Sequence, residues 1–242
     1  MEHERSQLAL AELAQDQWGM FTRRQAELAG VPATTFERLV ASDLSIQRVA
    51  HGVYRFIASP IPEHLELRAA WLQLAPETPA WERTAEQGLV SHRSAAALYG
   101  LGELPADLHD FTLPVRKQSR RPDVRIHKRP LAGIKWINLG GLLVTRPSRI
   151  VADLLSVRED PEAVARITAE AIRKVYDYPG TFVSSLAPFS TQFGLRRGDG
   201  YALLRWLLDI VGDPETPRWL TEARETMNRD LTSESGVAGG GE

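Results

Sequence analysis

Seven side chains within residues 23–55 have chemistry suited to holding a DNA duplex: Arg23, Arg24, Thr34, Thr35, Arg38, Arg48 and Arg55. An arginine can grip guanine through two parallel hydrogen bonds, and a threonine can touch a base edge or a phosphate. Thr34, Thr35 and Arg38 have the spacing of a helix lying in a major groove. Arg23 and Arg24 precede them and would grip backbone, while Arg48 and Arg55 would reach flanking phosphates. The same residues also suit a small helical packing module with solvated arginines.

A second basic group lies between Pro114 and Arg149, where ten basic residues face the single acid Asp123, for a charge of +9. Such a stretch could hold RNA, a second DNA surface or an acidic partner. Trp136 is its only aromatic, whereas platforms that stack single strands use several. Alternation also fits strands with a solvated face, Val124 and Ile126 against Arg125 and His127. Arg116, Lys117, Arg120, Arg121, Lys128 and Arg129 are the candidate partner surface.

Catalytic constellations are weak. Ser91 and His92 are adjacent, so on a regular helix their side chains would diverge by about 100°, and no third member is identifiable; a helix cap is the simpler reading. Pro122-Asp123 could begin a Mg²⁺ nuclease motif, but no second carboxylate precedes Lys128 to share the metal. The histidines at 3, 51, 64, 92, 109 and 127 have no metal-ligand spacing. "GLRRGDG" lacks the lysine and preceding strand of a phosphate loop. No catalytic residue, metal or cofactor is therefore expected.

The elements that would position these groups can be read from periodicity. Apolar Leu8, Leu10, Ala11 and Leu13 predict a helix over 7–17. Thr22 and Gln25 have capping-box spacing, and Thr34 with Glu37 repeats it after Pro32. Gly30 suits a helix end, and Phe36, Leu39 and Val40 form a buried stripe. Thr34, Thr35, Arg38 and Ser42 fall largely outside that stripe. "SIQRVAHGVYRFI" then reads as two strands turning at His51-Gly52. Three helices and a hairpin give the winged helix-turn-helix layout, closed by the proline-rich linker "ASPIPEH". Further helices are predicted over 63–75, from 91 to 100, from Pro147, over 161–175 and over 200–211. Four extended runs, "DFTLPV", "VRIHKR", "IKWINL" and "LLVT", lie among them. The fold class is α+β: an N-terminal winged helix-turn-helix over 1–58, a larger mixed α/β domain over 63–230, and a disordered tail over 231–242.

The chain has 242 residues, no cysteine and a formal net charge of −2. Absent cysteine removes disulfides and thiolate chemistry and suits a reducing cytoplasm. No signal peptide and no membrane span are expected. The charge is uneven: residues 1–57 carry six arginines against seven acids, and residues 209–242 three arginines against eight acids.

Several stretches together resemble the AbiEi family of antitoxins from type IV toxin–antitoxin systems. They are "FTRRQAELAGVPATTFERLV", "RVAHGVYRF", "LVSHRSAAALYGL", "LLVTRPSRIVADLL" and "FGLRRGDGYALLRWLL", and the likeness runs to about residue 211. The resemblance implies a winged helix that binds repeats in the chain's own promoter. It also implies a C-terminal antitoxin domain that counteracts a nucleotidyltransferase-like toxin, directly or indirectly; Arg116, Lys117, Arg120, Arg121, Lys128 and Arg129 are the expected antitoxin surface, acting on the toxin or on the toxin's nucleic-acid substrate. Family members often carry an extra basic residue before the wing glycine. Here His51 stands there, ordinarily neutral at pH 7, which weakens the expected phosphate contact. The expected partners are double-stranded DNA, bound as a dimer on paired half-sites, and the toxin. The competing expectation is a ligand-responsive regulator without a toxin, which a compact apolar pocket in the second domain would favour.

Overall fold

A computed structural model describes residues 2–41 and 45–237. Helix α1 (Glu2–Gln15), β1 (Met20–Thr22), α2 (Arg23–Leu28), α3 (Ala33–Ala41), β2 (Ile46–Ala50) and β3 (Val53–Phe56) form the N-terminal module. Its antiparallel sheet has the order β1-β3-β2. This is the expected winged-helix arrangement, with β1 as a strand that periodicity does not reveal. Three consecutive buried residues cannot show a period of two.

Local chemistry explains the elements. Helix α1 ends at Gln15, earlier than expected, because the chain turns through left-handed Trp18 (φ 58°) and Gly19 (φ 75°). Thr22 and Gln25 form the expected capping box of α2. The second expected box does not form: α3 begins at Ala33, so Thr34 already lies inside the helix, and Phe36 N–H donates to the Pro32 carbonyl. The hairpin turns at His51-Gly52, with Gly52 at φ 71°, a conformation that glycine adopts without strain. Phe36, Leu39, Leu10, Phe21 and Tyr54 close the module's core. Phe36 meets the ring of Tyr54 edge-on at 5.0 Å. Ser42 lies outside the described residues.

The chain then continues through α4 (Leu65–Leu74), β4 (Leu89–Val90), α5 (His92–Leu98), β5 (His109–Leu113), β6 (Val124–Lys128), β7 (Trp136–Leu139) and β8 (Leu142–Thr145). The larger sheet is mixed, with order β6-β5-β4-β8-β7. Strands β5 and β6 are parallel, from His109 opposite Val124 to Leu113 opposite Lys128. Helices α6 (Pro147–Ser156), α7 (Pro161–Arg173), α8 (Pro179–Leu186), α9 (Gly200–Val211) and α10 (Thr216–Val237) follow. The expected start at Pro147 and the span of α9 are reproduced. Of the disordered tail expected over 231–242, residues 231–237 instead continue helix α10, and residues 238–242 lie outside the described residues. No helix among those described is long and apolar enough to cross a membrane.

Backbone contacts group the described residues into two compact units. The first comprises 1–90, 108–132 and 138–144; the second comprises 91–107, 133–137 and 145–242. The boundary expected at 58–63 falls inside the first unit, because α4 packs on all three strands of the small sheet. The second unit is helical, with α9 against α7 and α8. The α8–α9 crossing is so close that a Cβ at Gly200 would collide with the Val183 carbonyl.

A buried amide network ties α1, β1, α2 and the chain after α4 together. Gln17 Nε2 donates to Gln25 Oε1 at 3.0 Å, and Gln25 Nε2 returns a bond to Gln17 Oε1 at 3.1 Å. Gln17 Oε1 also accepts from Ala80 N–H (2.8 Å), and Gln25 Nε2 donates to the Thr78 carbonyl (3.1 Å). The Thr22 hydroxyl donates to the Pro76 carbonyl. Arg83 anchors the end of α4 by donating to the carbonyls of Trp71, Leu72 and Ala75. Burial pushes its guanidinium down to about 9, while carbonyls at a helix C-terminus favour the cation.

Replacing Gln25 by Leu should cost about 1–3 kcal/mol of stability, because buried donors and acceptors lose partners that water cannot replace. A shift of the urea midpoint in the full chain measures it; an unchanged midpoint would show the network to be dispensable.

Candidate nucleic-acid interface

The winged-helix residues assemble around α2 and the wing turn. The Arg23 backbone N–H donates to the Gly52 carbonyl (2.9 Å), which holds the start of α2 against the turn. Arg23, Arg24, Glu27, His51, Gly52 and Gln73 line a concavity of about 320 Å³ there. Thr34 and Arg38 lie on the exposed side of α3. On the wing, Arg48 Nη2 contacts His51 Nδ1 at 3.0 Å and its Nε donates to the Ala50 carbonyl at 3.3 Å. A guanidinium has only donors, so His51 Nδ1 is the acceptor in this contact. Arg48 is thus folded back onto the wing turn.

Two of the seven candidates are corrected. Arg55 is buried (4 % exposed) and its guanidinium donates to the Ser59 carbonyl, so it does not reach the wing surface. Both faces of the short β3 are covered, which removes the solvent side that alternation assumed. Thr35 is likewise buried, at 7 % exposure, on the core side of α3.

Arg23 and Arg24 are exposed but already paired. Arg23 approaches Glu27 at 3.4 Å and Glu37 at 3.3 Å. Arg24 meets Glu27 at 2.9 Å and Glu77 at 3.0 Å. The Arg24 guanidinium holds the Glu27 carboxyl below the usual carboxylate range, and Glu27 and Glu77 raise Arg24 in return. Exposed pairs of this kind contribute little to stability and exchange readily with other anions. Sequence reasoning overlooked Glu27, although its i+3 and i+4 spacing from the two arginines is a visible pairing signal. Glu77 and Gln73 are distant in sequence and carry no such signal.

The basic segment divides. Arg121 forms a two-pronged pair with Asp123, its Nε at 2.9 Å from Oδ1, and its Nη1 donates to Gln73 Oε1 at 3.0 Å. Gln73 Nε2 donates in turn to the His51 carbonyl at 2.7 Å. Lys117 Nζ donates to the Leu74 carbonyl. Lys117, Arg120 and Arg121 therefore gather beside the wing turn, and all three line a cavity of about 450 Å³ with His51. Lys128 and Arg129 are exposed at the far end of β6 and line neither concavity. Arg116 is exposed in the same loop as Lys117. His127 departs from simple alternation: it turns to the buried Asp110, at 2.8 Å.

The catalytic alternatives gain little. His92 has φ 51°, so its ring does reach the Ser91 hydroxyl, at 2.9 Å, rather than diverging from it. Both residues are buried, and the hydroxyl makes no capping bond to α5. Among the described residues no cluster of three or more His, Asp or Glu could hold a metal. Asp123 is engaged by Arg121 and His109. In the second unit, a concavity of about 340 Å³ is lined by Arg173, Asp177, Glu215, Arg218 and Glu222 beside Val175 and Trp219. Those charges make it a poor apolar ligand chamber.

Residues 9–57 match the family described as "Transcriptional regulator, AbiEi antitoxin". The match spans the winged-helix module from α1 to the end of β3. No curated protein matches the chain.

Removing the Glu27 charge tests whether this face meets phosphate. Glu27→Gln should tighten binding to any duplex several-fold at low salt, with the gain vanishing as salt screens it. Fluorescence anisotropy with a labelled duplex reads this, and unchanged affinity at low salt would place α2 away from the backbone. A second test concerns His109, whose imidazole burial holds below its ordinary 6.5 despite the nearby Asp123 carboxylate. As pH falls through 6.5 the unfolded chain takes up a proton that the folded chain refuses, so stability should decline on acidification. Urea midpoints at about pH 7.5 and about pH 5.5 measure the slope, which His109→Gln should flatten.

Proposed function

We propose that this chain, whose N-terminal module is of the AbiEi antitoxin transcriptional-regulator type, is a non-enzymatic antitoxin and autorepressor. It occupies repeats in its own promoter and counteracts a nucleotidyltransferase-like toxin, by contact or by indirect opposition, in the cytoplasm. The observation that carries the reading is the convergence of the exposed side of α3, the start of α2 and the wing turn within residues 9–57. Thr34 and Arg38 read bases, Arg23 and Arg24 exchange their carboxylate partners for phosphates, and Arg48 flanks them from the wing. Two protomers on half-sites one helical turn apart would repeat this arrangement. The charged lining of the concavity in the second unit favours this reading over a small-ligand sensor.

Arg38→Ala should cost about 1–3 kcal/mol of discrimination between the upstream intergenic duplex and a random duplex of equal length. Arg23→Ala should weaken both duplexes alike and flatten the salt slope by about one unit. Co-expression with the operon partner tests the other half: growth arrest by that partner should be relieved by the full chain. A chain that neither retains the upstream fragment in dilute buffer nor restores growth would refute the proposal.

A further inference from the structure

We propose that the loop joining β5 to β6, through Lys117 and Arg120, is a second duplex-binding element that extends the DNA footprint beyond the winged helix. The inference rests on the DNA-binding reading above and assigns the partner of a segment outside residues 9–57.

Three observations carry it. The first is placement. His51 and Gln73 line both the concavity at the start of α2 and the cavity bordered by Lys117, Arg120 and Arg121, so the two hollows adjoin across the wing turn. The second is rigidity. Gln73 donates to the His51 carbonyl and accepts from Arg121, so one amide on α4 fixes the basic loop to the wing. Lys117 is moored to the end of the same helix through the Leu74 carbonyl. A loop ordered before binding does not lose that freedom when it meets DNA.

The third is charge. Residues 1–57 carry one acid more than their arginines, whereas residues 114–149 carry +9. Arg23 and Arg24 share Glu27, Glu37 and Glu77, while Arg120 is exposed with no carboxylate partner among the described residues. Backbone affinity comes from cations that release counter-ions from phosphate. The winged module alone is poor in them, and the nearest supply is the loop beside its wing. A duplex seated on the wing would meet this loop with its flanking phosphates.

The test is the salt dependence of full-chain binding to the upstream intergenic duplex and to a random duplex. Lys117→Gln with Arg120→Gln removes two charges, and glutamine keeps a donor for the Leu74 carbonyl. The slope of log affinity against log salt should fall by about two units on both duplexes. The wild-type advantage should then shrink about tenfold between about 50 and about 200 mM salt. Arg120→Gln alone, at an exposed position, should remove about one unit, which covers the case that the double variant is misfolded. An unchanged slope, with Arg38→Ala still losing discrimination, overturns this inference and leaves the DNA-binding reading intact. Loss of growth rescue with an unchanged slope assigns the loop to the toxin and also overturns it. A wild-type chain that ignores both duplexes at about 50 mM salt overturns inference and reading together.

Discussion

The reciprocal amide pair of Gln17 and Gln25 is the constraint on which the arrangement of α2 and the wing turn depends. Both side chains are buried, and a buried amide without partners is costly. Each satisfies the other, and the remaining valences reach β1, the cap of α2 and the chain beyond α4. One arrangement of these segments therefore meets every demand. It sets the start of α2 against the wing turn and brings Glu77 within reach of Arg24.

Helix α4 extends that constraint. It begins where the sequence suggests a linker has just ended, yet it packs on the small sheet and carries Gln73 to the wing turn. Trp71 at its centre is fully buried and meets Trp18 edge-on at 6.1 Å. Trp18 donates to the Gly140 carbonyl, in the turn between β7 and β8. The family match ends at residue 57, whereas the packing that supports the matched module does not. The winged helix here is one end of a larger unit, supported by side chains far along the chain.

What could be read from the sequence was local. The capping box at Thr22 and Gln25, the turn at His51-Gly52, the helix start at Pro147 and the span of α9 each follow from a few neighbouring residues. What could not be read depended on distant partners. Strand β1 is three buried residues with no alternation. Arg55 on β3 looked solvent-facing until Ser59 and the covered sheet claimed it. The second capping box failed because Ala33 opens α3 and leaves Thr34 inside the helix, and Thr35 is buried because it stands four residues before Leu39 and shares its core-facing side. Helix α8 was missed because "PGTFVSSL" begins with two residues that ordinarily mark turns, and its helical conformation is secured by packing on α9 and α10. The candidate arginines were recognisable as a group, but their carboxylate partners were not, since Glu37 and Glu77 approach only through tertiary structure.

If the start of α2 meets DNA as proposed, the placement of Glu27 beside Arg23 and Arg24 has a consequence for how the protein moves through a crowded genome. On the proposed reading, the Glu27 carboxylate beside both arginines would act as a competitor present at fixed local concentration, and every stretch of DNA would have to displace it. That toll is the same for all sequences, so it depresses indiscriminate adsorption and leaves the preference conferred by base contacts untouched. For a regulator that must find few sites among millions of decoys, a weaker hold would shorten each visit to a wrong site without changing the ratio that favours the right one.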